Sequence, residues 1–295
     1  MEVTKSAVGL WEACEKARQA GSSVGFVPTM GALHEGHHAL VNRARSECRF
    51  VALSIFVNPL QFGEAADFAR YPRPLGQDLE LAEGWSCDLA FVPDHAEMYP
   101  GGPPQVAVDP GPLGERLEGA SRSGHFRGVL TVVAKLLNLV GPCRAYFGQK
   151  DAQQLALVRR MVADLNLAAE IVPIPIVRDN DGLALSSRNV HLSQEERKAA
   201  LSLVRALGVA SQLAKQGHRS AALLKAEMAK RIGAEPLARL DYVAVVDDQT
   251  WEEVEEIHAR ARALVAARFG RTRLIDNLLL PWKAVPSTHD RLGHT

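Results

Sequence analysis

The chain has 295 residues, with 34 Lys plus Arg against 34 Asp plus Glu. At 47% hydrophobic and 23% charged it has an ordinary globular composition, not that of a disordered chain. The zero formal charge lacks the basic excess with which nucleic-acid binders meet phosphate, and the length suits one large domain or two modest ones whose core needs no staples.

The N-terminal MEVTKSAVGLWEACEKARQ has no basic-then-apolar leader pattern and reads as an amphipathic helix. Ser23–Thr29 is short, apolar and β-branched. Gly31 punctuates it, and Ala39, Leu40, Val41 and Ala44 follow at helical spacing to about Arg49. Phe50–Val57 is a continuous apolar run, as in a strand buried on both faces, so one βαβ unit fills this stretch. Gln61–Gly76 and Pro100–Gly114 are expected as long loops. Leu89–Val92 reads as a strand, Val129–Val140 as a helix, Ala145–Phe147 as a strand, Gln153–Asn166 as a helix and Glu170–Val177 as a strand. The alternation predicts an α/β fold: a Rossmann-like, doubly wound, mostly parallel sheet over residues 1–177, with ligands outside the carboxyl ends of its strands.

The turn cluster Asp179-Asn180-Asp181-Gly182 introduces a smaller α/β C-terminal domain, residues 178–283. Ser193 and Glu196 predict a capping box for a helix to about Gln216, with Gly217 placed to end it. Leu240–Val246 reads as a strand. Thr250 and Glu253 predict a second capped helix, with Glu252, Glu253, Glu255 and Glu256 at its start and Arg260, Arg262 and Arg268 further on, in the order the macrodipole favours. Arg273–Leu280 closes the domain as a strand, and residues 284–295 are expected to be a loose tail. Cys14, Cys48, Cys87 and Cys143 form no C-x-x-C pair, and no stretch approaches the ~18 apolar residues of a membrane span. The expectation is a cytoplasmic, thiol-reduced protein.

His34-Glu35-Gly36-His37-His38 spells H-E-x-x-H, the pattern of a zinc hydrolase with His34 and His38 as ligands and Glu35 as base. The segment lies at a strand-to-helix turn rather than mid-helix, and Val41 stands where the extended pattern has glycine. The same residues spell H-x-G-H. His34 and His37, three apart at a helix N-terminus, sit where unpaired N–H groups attract phosphate, and Gly36 lets a nucleotide approach the backbone. Asn58 and Gln61 follow the apolar strand and are neutral amides suited to a hydroxyl or carboxylate. Gly148-Gln149-Lys150-Asp151 precedes a helix bearing Gln153 and Gln154. Leu185-Ser186-Ser187-Arg188 offers two hydroxyls and a guanidinium to phosphate oxygens.

Five ordered stretches carry a family resemblance: PTMGALHEGH (28–37), SIFVNPLQF (54–62), HFRGVLTVVAKL (125–136), YFGQKDAQQL (146–155) and DGLALSSRN (181–189). Together they resemble the pantothenate synthetase (pantoate–β-alanine ligase) family of H-x-G-H nucleotidyltransferases. The resemblance implies that ATP and (R)-pantoate form pantoyl adenylate and pyrophosphate, and that β-alanine then displaces AMP. It implies His37 as proton donor beside His34, with Lys150 and Arg188 also catalytic. ATP would be lined by Met30, Gly31, Ala32, Leu33, His34, Glu35, Gly36 and His37. Gly148, Gln149, Lys150, Asp151, Val177, Leu185, Ser186, Ser187 and Arg188 would complete that site. Gln61, Gln154 and Asn58 would hold pantoate, and Gln61 would also meet β-alanine. Mg²⁺ would come with ATP as co-substrate, with Asp78 a further contact, and the protein would be a homodimer. The segment after Gln61 corresponds to a cover expected to close over the adenylate. Gln149, Leu185 and His191 replace the family's usual Glu, Met and Tyr. Another H-x-G-H nucleotidyltransferase, acting on a phosphorylated acceptor, would want more cations than Gln61 and Gln154 supply. A nucleotide sensor or a tRNA-binding module is a further alternative, distinguished by ATP binding without turnover or by salt-dependent RNA binding.

Overall fold

A computed structural model describes residues 1–63 and 65–281, leaving out the side chains of 65–67; the expected tail at 284–295 lies outside the described residues. The chain divides into two units: Met1–Asn180 with Ala184–Ser187, and Asp181–Leu183 with the residues from Arg188 onward.

The first unit runs β1 (Glu2–Thr4), α1 (Ala7–Gln19), β2 (Val24–Thr29), α2 (Glu35–Glu47), β3 (Phe50–Ile55), α3 (Ala65–Arg70), α4 (Leu75–Gly84) and β4 (Leu89–Phe91). It continues through α5 (His95–Met98), α6 (Glu118–Ser121), α7 (His125–Val140), β5 (Cys143–Gly148), α8 (Ala152–Asp164) and β6 (Ala169–Ile174). The sheet is wholly parallel, in the order β1-β4-β3-β2-β5-β6. Strand order reverses at β2, which is flanked by β3 on one side and β5 on the other. Ligands of doubly wound sheets bind at such a point. Apolar runs without alternation are explained by burial on both faces: Phe26 and Ala52 pack with Leu10 of α1 and Leu137 of α7, whereas Val27 and Leu53 pack with Val41 and Ala44 of α2.

Two local expectations change and one holds. The N-terminal segment holds a short strand as well as a helix: β1 adds in parallel to β4, and three half-polar residues carry no periodicity. Gln61–Gly76 is not one long loop. It contains α3 and the start of α4, and Phe62 packs edge-on against Phe68 and Tyr71, with the Arg73 guanidinium over the Phe68 ring. Pro100–Gly114 is the expected loop, irregular up to a 3-10 turn at Pro112–Glu115.

The second unit comprises α9 (Gln194–Lys215), α10 (Ala221–Gly233), β7 (Ala238–Asp247), β8 (Ala261–Phe269) and β9 (Thr272–Leu279). Ser193 and Glu196 form the expected capping box. The second capped helix does not exist. Asp247 Oδ1 accepts from the backbone N–H groups of Gln249 and Thr250, closing a turn, and ARALVAARF forms the central strand of an antiparallel β7-β8-β9 sheet. Its first seven residues are all buried. Tertiary burial here overrides a weak helical propensity. Arg262 is paired to Asp248 and to Asn277 of the neighbouring strand instead of decorating a helix end. α9 and α10 pack against each other and the sheet around Leu203, Leu207, Leu224 and Met228.

The cysteines are free thiols. Burial pushes Cys14 up to about 11 and Cys87 and Cys143 up to about 12, which suits inert packing residues. Among the described residues no helix is long and apolar enough to cross a membrane.

Candidate active site

The site is assembled at the carboxyl edge of three adjacent strands, β3-β2-β5. β2 delivers Met30–His37 into α2, β3 delivers Asn58 and Gln61, and β5 delivers Gly148–Asp151 into α8. This topology brings three of the sequence-predicted segments to one edge.

The turn after β2 is braced from below. Thr29 Oγ1 donates to Ser54 O at 2.7 Å and accepts from Gly31 N at 3.1 Å. Gly31 has φ +77°, and a Cβ there would stand 2.7 Å from Asp78 Oδ2, so glycine is required twice over. The buried Asp78 carboxylate accepts from Ala32 N at 2.9 Å and Leu33 N at 2.8 Å. That changes its expected role: both oxygens are committed to the turn, holding Ala32 in its left-handed conformation, and burial raises its pKa against the pull of those two bonds.

His34 is the N-cap of α2. Its Nδ1 accepts from Gly36 N at 3.0 Å, and His37 Nδ1 accepts from His34 N at 3.3 Å. An imidazole whose Nδ1 accepts carries its proton on Nε2. The cap thus fixes the same neutral tautomer in both rings, which stand 4.1 Å apart. Burial first, and then its neighbour His34, hold His37 down to about 3; burial and the Lys150 cation lower His34. His37 is therefore neutral, with its proton on Nε2. The zinc reading fails on the same geometry. His34 is extended at φ −151° and ψ 176°, while His38 bonds to Glu35 and stacks on Trp85 at 5.0 Å. Among the described residues no group of three or more His, Cys, Asp or Glu is placed to hold a metal.

Lys150 lies 3.7 Å from Asp151, and both charges act on His34 and His37, which places the four groups in one neighbourhood. Gly36 stands close to Leu185: a Cβ on the glycine would be 3.9 Å from that of the leucine. Leu185 N donates to Val177 O at 3.0 Å, and Ser187 Oγ lies 3.5 Å from the Tyr71 hydroxyl. Arg188 is the first residue of the second unit after Ser187, in the 3-10 turn Ser187–His191.

Gln61 ends a 3-10 turn, Pro59–Gln61, capped by Asn58. Its Oε1 accepts from Asn58 Nδ2 at 3.1 Å, and its Nε2 meets Met30 Sδ at 2.8 Å. α7 packs on this turn so closely that a Cβ on Gly128 would fall 2.2 Å from Leu60 O. Gln153 and Gln154 part company on α8. Buried Gln153 donates to Leu113 O and Arg116 O and accepts from Glu118 N, tying down a loop, whereas Gln154 is partly exposed on the first turn. Sequence reasoning misses His125. It is buried, its Nδ1 is 2.9 Å from Gln61 O, and its Nε2 is 2.9 Å from Arg122. Burial and the Arg122 charge push it down to about 4, so it is neutral, donating to the carbonyl and accepting from the guanidinium. Its place in the HFRG stretch is visible in the sequence, but its partner is not.

The family model for pantoate-beta-alanine ligase matches residues 2–279. The pantothenate synthetase of Heliobacterium modesticaldum is 54% identical over 266 residues, 90% of this chain and 94% of that protein. The crystal structure of pantothenate synthetase from Thermus thermophilus superposes with a TM-score of 0.89 at 49% identity, over 95% of this chain and 100% of that one. The pantoate-beta-alanine ligase of Francisella tularensis, solved with beta-gamma ATP and beta-alanine, superposes with a TM-score of 0.78 at 32% identity, over 95% and 97%. With a double-histidine cap at the reversal point of a doubly wound sheet and relatives matched along nearly its whole length, the chain belongs to the pantoate–β-alanine ligase family and is a ligase.

Proposed function

We propose that the chain joins (R)-pantoate to β-alanine through pantoyl adenylate. A pantoate carboxylate oxygen attacks the α-phosphorus of ATP, and the bond to the β-phosphate oxygen breaks, releasing pyrophosphate. The β-alanine amine then attacks the acyl carbon, loses a proton, and expels AMP, leaving pantothenate. The observation that carries this reading is the double-histidine cap of α2: two neutral rings with Nδ1 bound to backbone N–H and Nε2–H left as the donor, at a helix N-terminus. Such donors cost no reorganisation when charge builds on the phosphate oxygens.

In this reading Met30 and the backbone from Gly31 to His37 line ATP with Gly148, Gln149, Lys150, Asp151, Val177 and Leu185. Lys150, Ser186, Ser187 and Arg188 meet the phosphates. Gln61 and Gln154 hold pantoate, with Asn58 supporting Gln61, and Gln61 also meets β-alanine. Mg²⁺ is held by the triphosphate itself, since Asp78 is spoken for by the turn and the donor set among the described residues has no carboxylate cluster. Gln149, in place of the family's glutamate, leaves Asp151 as the carboxylate adjacent to Lys150. A homodimer in the cytoplasm completes the proposal. The neutral amides at the acceptor side support an unphosphorylated acid over a phosphorylated one.

The test is ATP–pyrophosphate exchange with pantoate and Mg²⁺ in the absence of β-alanine. Exchange that requires pantoate is expected. Exchange without pantoate, or none while ATP still binds, would overturn the reading.

A further inference from the structure

We infer that Tyr99 is a positioning residue for the acid substrate: its hydroxyl, acting through Asn58, holds the Gln61 amide in the orientation that turns its N–H groups toward that acid. The inference rests on the reading of Gln61 as a pantoate ligand.

A carboxamide can stand two ways round with nearly the same shape, exchanging donor for acceptor. Here two backbone groups of fixed polarity, Leu60 N–H and Gly128 C=O, set the choice at Asn58, and the Tyr99 hydroxyl reinforces it. Tyr99 donates to Asn58 Oδ1 at 2.8 Å, and Leu60 N–H reaches the same oxygen at 3.4 Å. On the other side Asn58 Nδ2 donates to Gly128 O at 3.1 Å and to Gln61 Oε1 at 3.1 Å, using both N–H groups. Gln61 is left with its oxygen occupied and its Nε2 against Met30 Sδ, a weak acceptor that a carboxylate or hydroxyl oxygen displaces.

The relay is buried throughout, with Tyr99 3%, Asn58 1% and Gln61 7% exposed, so water does not substitute for a lost member. The phenol is also kept protonated. Burial raises it above its ordinary value, and the charged or titratable groups against its ring are Lys135, 5.7 Å from the centroid, and His95, 5.3 Å away. Without the hydroxyl, Asn58 Oδ1 keeps only the longer contact with Leu60 N–H, and the amide that holds Gln61 in place loosens. Gln61 Nε2 would then be held less firmly toward the pantoate oxygens.

The experiment compares Tyr99→Phe with wild type in steady-state kinetics, alone and in a Gln61→Ala background. Tyr99→Phe is expected to raise the pantoate KM about tenfold, the scale of one buried hydrogen bond, with kcat and the ATP KM within about twofold. In the Gln61→Ala background it should add nothing, because it acts through that amide. A merely structural role would instead lower kcat, raise every KM and add in both backgrounds. An unchanged pantoate KM, or the same rise with and without Gln61, overturns the inference. Asn58→Leu, which removes the relay without placing a charge, should raise the pantoate KM at least as far and keeps the test open if the phenylalanine variant fails to fold. A wild-type enzyme without pantoate-dependent exchange would refute the ligand reading and the relay with it. A pantoate-dependent wild type indifferent to Tyr99→Phe refutes the relay alone.

Discussion

Gly36→Ala should separate stability from catalysis. A Cβ at Gly36 would stand 2.7 Å from His34 Cε1 and 2.9 Å from His34 Nδ1, closer than real carbons come. The atoms it meets belong to a ring that can swing away, so the clash is relieved by losing the His34 cap rather than by moving backbone. Losing an N-cap costs about 1 kcal/mol, and replacing glycine by alanine in a helix returns up to about 1 kcal/mol. The two nearly cancel, and the thermal midpoint should move by no more than about 4 °C. Catalysis has no such offset. One of two fixed donors leaves its place, and the loss of such a donor lowers the rate ~10²–10³-fold. Pantoate-dependent ATP–pyrophosphate exchange beside a thermal melt reads both quantities. The variant should resemble His34→Ala in exchange, and the double variant should be no worse than either, since both act on one ring. Unimpaired exchange would refute the reasoning, as would a loss of exchange matched by a loss of several kcal/mol in stability.

Gly128→Ala should behave in the opposite manner, because its Cβ would meet Leu60 backbone at 2.2 Å: a destabilisation of about 3 kcal/mol in urea unfolding is expected, and a value under ~1 kcal/mol would show that α7 can shift. Asp78→Asn replaces one of two acceptors facing Ala32 N and Leu33 N by a donor. It should raise the ATP KM about tenfold while leaving the Mg²⁺ concentration for half-maximal rate unchanged; a change in the Mg²⁺ requirement alone would restore a metal role. His125 is neutral in both folded and unfolded chains above pH 6.5. Below that the unfolded chain takes up a proton that the folded ring, at about 4, refuses. Its contribution is therefore present above 6.5 and lost as pH falls toward 4, by about 1.4 kcal/mol per pH unit. Urea melts of wild type and His125→Gln between pH 7 and 4.5 should show a shallower pH slope in the variant, and equal slopes would refute the assignment.

The first unit is legible in the sequence because its strands are buried on both faces and read as apolar runs: Phe50–Ile55 and Val24–Thr29 need no partner to be recognised. Legibility fails where burial, not periodicity, decides. Residues 261–269 have alanines and arginines that read as helix, and only their place between β7 and β9 makes them a strand. α10 gives no distinct signal, its Ser220 cap being one of many serines. At the site, the histidines, Lys150 and the amides are legible as types and spacings. What is not legible is direction: that Asp78 faces two backbone N–H groups, that His37 is held neutral, and that Tyr99 stands behind Asn58. Those depend on residues far apart in the chain.

The pairing of β2 with β5 bears on how the protein comes off the ribosome. Gly25 and Phe26 register against Arg144 and Ala145, so about 120 residues of chain must be made before the central strand gains its second neighbour. The histidine cap and Lys150 lie just beyond those two strands. A nascent chain that has made only β2, α2 and β3 already owns the H-x-G-H turn but lacks the lysine side of the cleft. Contacts this distant in sequence close slowly and late. Nucleotide capture by a growing chain should therefore switch on sharply after β5 and the turn behind it leave the exit tunnel, which makes ATP binding a reporter of when the first unit has folded.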